Sequence, residues 1–204
     1  MNDSRPLLPS RTNSGSRGWA GLAAALGALA LFAWPVERSF IDWQPASVLA
    51  QPWRAWTAAA VHYSALHLGA NLLGTLLVGT LGVAAQLPGR MVWAWAAAWP
   101  ITHWGLLLKP ELLHYGGLSG VLHGGVAVAA LHLVLCGRRS QRWIGAAILF
   151  GVIVKVVGES PWGEPLRRGP GWDIAIAPIA HATGLAAGLL CAGIAHVLSR
   201  RVNP

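Results

Sequence analysis

Charge is scarce in this chain. Only 11% of its 204 residues are Asp, Glu, Lys or Arg, whereas soluble domains carry about 25%. So few charges cannot cover a globule of this size with solvated side chains, which argues against a water-soluble domain. Cysteine is scarcer still: Cys136 and Cys191 are the only two, both late in apolar runs. That excludes a disulfide framework and predicts two small buried thiols. Phe and Tyr number three and two against twelve Trp, and indole favours the boundary between membrane and water. The net charge of +8 does not point to nucleic acid. The arginines fall between apolar runs and form no basic stripe interleaved with aromatics.

What is abundant is apolar. Hydrophobic residues make up 54% of the chain and the mean hydropathy is +0.50, the composition of an integral membrane protein. A spanning helix needs about 20 mostly apolar residues. Six stretches qualify, near 19–36, 58–83, 91–108, 118–136, 143–157 and 174–198, the first and fifth being among the shortest. The expected fold is therefore all-α, a polytopic bundle of six transmembrane helices over residues 19–200. Residues 1–18, rich in Ser, Arg, Asn and Pro, read as a disordered basic cytoplasmic tail. Basic residues in short loops mark the cytoplasmic side. With the N-terminus inside, that side holds Arg5, Arg11, Arg17, Arg90, Arg138, Arg139, Arg142, Arg200 and Arg201. Outside fall Arg38, Arg54, Lys109, Arg167 and Arg168, with Lys155 near the outer end of the fifth span. Both termini are then cytoplasmic.

Polar groups inside spans are costly and mark functional sites by default. "VHYSALHLGANLLG" opens the second span and carries His62, His67 and Asn71, the last two sharing a helix face at i, i+4. "HYGGLSGVLHGG" sets Ser119 among Gly116, Gly117 and Gly120 where the fourth span begins, with His123 on the same face. A serine before a helix is ordinarily an N-cap. Glycines there also leave the first backbone N–H groups of the helix open to an anion. "IAHATGLAAGLL" places His181 about 10 Å into the sixth span at 1.5 Å per residue. Gly184 and Gly188 follow it, a small-xxx-small pair that lets a neighbouring helix approach. Taken singly, Asn71 could be interhelical glue, and His181 could bond a carbonyl. Together, the three spans offer a weak nucleophile, a base and oxyanion donors at matching depths.

This constellation resembles the rhomboid intramembrane serine proteases. The matching stretches are "HYSALHLGAN" in span two, "GLSG" at the head of span four and "AHATGLAAG" in span six, with "QPWRAWTAAAVHYS" similar to the family's Trp-Arg segment. The resemblance covers about residues 53–193. It implies a catalytic Ser119–His181 dyad without a third carboxylate. It also implies an oxyanion hole made by His67, Asn71 and the Ser119 N–H, with His62 in a less direct role. Gly117 and Gly120 would shape the loop, and Gly184 would bring spans four and six together. His123 stands where many rhomboids carry an aromatic stacked on the catalytic histidine, and an imidazole can stack too. The "GLSGVLHG" string and the minimal six-span core look similar to rhombosortases, a bacterial subfamily. That likeness implies a place in the inner membrane and a site opening toward the periplasm. The implied substrates are single-span or C-terminally anchored membrane proteins bearing C-terminal sorting segments, with no cofactor or metal. Two alternatives stay open: a catalytically inactive rhomboid-like protein that binds membrane clients, and a haem or metal protein ligated by His62, His67, His123 and His181. The absence of an HExxH motif weighs against the second. A transporter is the weaker reading for want of an inverted repeat.

Overall fold

A computed structural model describes residues 14–202. Most of the expected basic tail therefore lies outside the described residues, but its boundary moves. Ser14–Gly18 form the first turn of helix α1 (Ser14–Phe32), where Gly15 and Ser16 are buried. A Cβ on Gly15 would meet the backbone of 87–89, so this turn is packed, not free.

The remaining elements are α2 (Arg54–Thr57), α3 (Ala65–Ala84), α4 (Gly89–Trp104), α5 (Ser119–Cys136), α6 (Arg139–Gly158) and α7 (Pro178–Val202). A two-stranded antiparallel pair, β1 (Arg167–Arg168) with β2 (Ala175–Ile176), lies between α6 and α7. Among the described residues, four helices, α3, α5, α6 and α7, are long and apolar enough to cross a membrane. The 16 residues of α4 fall short of the usual span, although a 3-10 turn over Gly105–Leu108 prolongs it. In α1 the first turn is polar.

Two predicted spans begin later than expected. The second starts at Ala65 rather than 58, because Ala58–Ala60 form a 3-10 turn and Ser64 then caps α3 in an extended conformation. The Ser64 hydroxyl accepts a hydrogen bond from the His67 N–H at 3.0 Å. The sixth starts at Pro178, a residue suited to the first helical position, because the two residues of β2 are held in the strand pair.

The central helix is α5, whose Val121, Leu122, Val128 and Ala129 are buried on all sides. It lies backbone to backbone against α7. A Cβ on Gly184 would collide with the carbonyl oxygen of Gly120, so only hydrogen fits there. On its other flank, the Trp19 and Trp95 rings pack with centroids 4.4 Å apart and planes tilted by 31°. Both are fully buried, contrary to an interfacial role for the tryptophans. Their indole N–H groups donate to the carbonyls of Val78 and Val121, each at 2.9 Å, which makes burial affordable. Trp53, Trp93, Trp143 and Trp162 do remain exposed. Cys191 is buried as expected, but Cys136 is exposed because it is the last residue of α5.

The long connection from α1 to α3 anchors the loop that carries the nucleophile candidate. Arg54 is buried and donates to the Ser39 carbonyl (3.0 Å), the Asp42 carbonyl (2.6 Å) and the Asp42 carboxylate (3.2 Å). Asp42 also accepts from His114 at 2.7 Å. Trp43 and Tyr115 exchange both backbone hydrogen bonds, and Gly117 N–H donates to the Ala58 carbonyl at 2.9 Å. The backbone approach to Ser119 is thus tied down on both sides before α5 begins.

Candidate active site

Ser119 is the first residue of α5, and His181 lies in the first turn of α7. The glycine contact between these helices brings the two side chains together. Ser119 Oγ lies 2.9 Å from His181 Nε2. Both face a cavity of about 580 Å³ that runs between α3 and α6, with His67 and Asn71 on one wall and Gly151 and Val152 on the other. A second groove of about 680 Å³, between α1 and α3, is lined by no ionisable side chain.

The wall opposite the dyad is polar. His67 and Asn71 are buried one turn apart on α3. Asn71 Nδ2 is buried with no hydrogen-bond partner among the described residues. A free amide donor in such a place is costly unless something else accepts from it. Gly117 has φ +149°, a backbone conformation that favours glycine, and a Cβ there would press on the His67 ring at 3.1 Å. Gly120 faces the Ala180 carbonyl. His62 touches His67, with centroids 4.8 Å apart, but does not line the cavity. Burial lowers the His62 pKa against the opposing pull of the Ala60 carbonyl, so it is neutral at pH 7. His123 stacks on His181 with centroids 4.2 Å apart and planes 16° from parallel. Its Nδ1–H donates to the Ser119 carbonyl at 2.7 Å, which fixes the ring.

Two neighbours were not foreseen. The Tyr115 hydroxyl donates to the Gly117 carbonyl at 3.2 Å. Burial pushes its pKa up to about 12, although hydrogen bonds with Ser119 and the Gly120 backbone oppose this, so it stays a phenol beside the serine. The larger surprise is Glu159, the residue that closes α6. Its Oε2 accepts from His181 Nδ1 at 2.6 Å, while its Oε1 accepts from Lys155 Nζ at 2.6 Å. Where the resemblance implies a dyad without a carboxylate, a carboxylate is bonded to the far side of the imidazole. Burial raises the Glu159 pKa, but the His181 hydrogen bond and Lys155 outweigh it and hold the acid at about 2. Because that folded value is depressed, the carboxylate's stabilising contribution is complete above the ordinary glutamate range. It is lost as pH falls from there through about 2. The only cue in the sequence was a Lys–Glu pair at i, i+4 that straddles the predicted end of the fifth span. Nothing in periodicity links it to a histidine 22 positions on.

The four histidines considered as metal ligands do not converge. Among the described residues no three His, Cys, Asp or Glu side chains are grouped as a metal site requires. What the geometry offers is a hydroxyl whose proton an imidazole can take, beside unengaged donors in a partly enclosed cleft.

Comparison with known families matches the chain to the Rhomboid domain over residues 49–197. This is a protein of the rhomboid family, the intramembrane serine proteases that act on membrane proteins within the bilayer. With its apolar helices, that makes it an integral membrane protein. No curated protein matches the chain.

Proposed function

We propose that the protein is an active serine endopeptidase that cuts membrane-anchored proteins at the outer boundary of the bilayer. The observation that carries this reading is the 2.9 Å contact between Ser119 Oγ and His181 Nε2 across two helices. Ser119 Oγ attacks the scissile carbonyl carbon while its proton passes to Nε2. The resulting oxyanion is met by Asn71 Nδ2, His67 and the Ser119 N–H. When the C–N bond breaks, Nε2 returns the proton to the leaving amine and an acyl-enzyme remains. Water then attacks the ester with the same imidazole as base, freeing the carboxylic acid and Ser119. His123 keeps the His181 ring in plane, and Gly117, Gly120 and Gly184 admit the close approaches this geometry needs.

The bundle would cross the bacterial inner membrane six times, with both termini cytoplasmic and the cleft opening toward the periplasm. The distribution of arginine supports that orientation. The substrates would be single-span or C-terminally anchored proteins, as in rhombosortases, whose sorting segments enter between α3 and α6. Support comes from that cleft being lined largely by apolar side chains. The faces of α3 and α6 beside it expose Leu73, Leu77, Ile144 and Val154.

A fluorophosphonate probe should label the purified wild-type chain at Ser119. Ser119→Ala should take no label, and co-expressed C-terminally anchored secreted proteins should then mature in the presence of wild type alone. Labelling that persists in Ser119→Ala would refute the assignment. Asn71→Ala should lower kcat by about 10²-fold with little change in KM, the cost of one oxyanion donor. An Asn71→Ala enzyme with wild-type kcat would remove Asn71 from the hole.

A further inference from the structure

We infer that Glu159 is a positioning residue that completes a Ser119–His181–Glu159 triad by fixing which nitrogen of His181 carries the proton. The inference rests on the protease reading above and deepens it. An ionised carboxylate can only accept hydrogen bonds. At 2.6 Å from Glu159 Oε2, His181 Nδ1 must therefore be the protonated nitrogen, and Nε2 presents its lone pair to Ser119. That is the one tautomer in which the imidazole can act as a base toward the hydroxyl.

Lys155 makes the need for Glu159 acute. Its ammonium is a donor without acceptor capacity and lies 3.4 Å from the same Nδ1. Acting alone, Lys155 would favour a bare Nδ1 and move the proton to Nε2, where it faces Ser119 and blocks proton transfer. Glu159 Oε1 draws the ammonium to itself at 2.6 Å. One carboxylate thus orients the base with one oxygen and engages the competing donor with the other. The other charged or titratable neighbours are His123, stacked on the ring, His67 across the cleft, the Tyr115 phenol beside Ser119 and Arg167, which bonds the Glu159 backbone. Asp173 lies farther off, bonded to Ser64.

The backbone holds Glu159 in place for this task. Its N–H bonds the Lys155 carbonyl at the end of α6. Its own carbonyl accepts from Arg167 on β1 at 3.0 Å. Ser160, next in the chain, turns sharply with φ +54°. The side chain is 19% exposed and lines the cleft. When Ser119 gives up its proton, Nε2 receives it, Nδ1 keeps its own, and Glu159 stays ionised beside the imidazolium.

The test is the rate of fluorophosphonate labelling of the full-length chain in detergent micelles at neutral pH, with folding followed by thermal melting. Glu159→Gln should label about 10²-fold more slowly than wild type, less than the loss seen when the carboxylate is fully buried. Glu159→Asp, one methylene shorter but still charged, should recover part of that rate. Adding Lys155→Met to Glu159→Gln should restore about tenfold, because the donor that imposes the wrong tautomer is gone. A Glu159→Gln chain that labels at the wild-type rate overturns the inference while the protease reading stands. A slow Glu159→Gln that neither Glu159→Asp nor Lys155→Met improves also overturns it, since that marks a structural role alone. A wild-type chain that takes no label overturns the protease reading and this inference with it.

Discussion

Ser119→Ala and His181→Ala should each abolish peptide-bond cleavage, and the double variant should be no worse than either. The reason is that the hydroxyl and the imidazole act as one unit. Without the base, Ser119 is an ordinary alcohol; without the alcohol, the imidazole has no proton to move. Residues acting in this way give losses of about 10⁶-fold that do not add. The structural cost should be small. The Ser119 hydroxyl reaches α7 through its bond to His181. The α5–α7 contact rests on Gly120 and Gly184, which neither variant touches. His181→Ala does leave Glu159 and the stacked His123 without their partner. It should therefore lower the melting temperature more than Ser119→Ala, which should melt like wild type. The measurement is cleavage of a single-span reporter alongside a melting curve in the same detergent. Additive losses, or a variant retaining a tenth of wild-type turnover, would show that the two groups do not share a proton.

How much of this was legible from residue types follows from the physics of each signal. The helices behind the site were visible because apolar length reports directly on membrane crossing, and α5, at Ser119–Cys136, falls within one residue of its expected start. Ser119, His181, His67 and Asn71 were visible because polar groups in apolar runs are expensive and rare. The start of α3 was not, because Ala58–Ala60 is as apolar as the helix that follows; only the extended Ser64 cap decides the boundary. The burial of Trp19 and Trp95 was missed because indole serves equally well at an interface or in a core. Which one applies depends on the carbonyls of Val78 and Val121 supplied by other helices. Glu159 was missed for a related reason. It sits in a polar connection where glutamate is unremarkable, and only the packing of α6 and α7 shows that it reaches His181.

Gly184→Val should be the most damaging substitution outside the dyad. At this position the α7 backbone lies so close to α5 that any Cβ would overlap the Gly120 carbonyl oxygen. A flexible side chain could move aside, but a helical carbonyl cannot without shifting the helix. Valine's two γ-carbons, stiff at χ1, enlarge the obstruction. The helices must separate by an ångström or more, and overpacking of this kind costs about 1–3 kcal/mol, here toward the upper end because both surfaces are backbone. The catalytic cost follows from geometry. Gly184 is three residues from His181, and Gly120 directly follows Ser119, so the separation falls almost wholly on the 2.9 Å contact. A misplacement of about 1 Å can cost 10²-fold in rate, and a hydrogen bond opened this far no longer transfers a proton. Gly184→Val should thus lose turnover and fluorophosphonate labelling together, with a lower melting temperature. Gly193→Val, on the same helix with open space around the added Cβ, should leave both unchanged. If Gly184→Val kept its labelling rate, α5 and α7 could not be held apart by their backbones alone, and the close glycine contact would not be what sets the distance between Ser119 and His181.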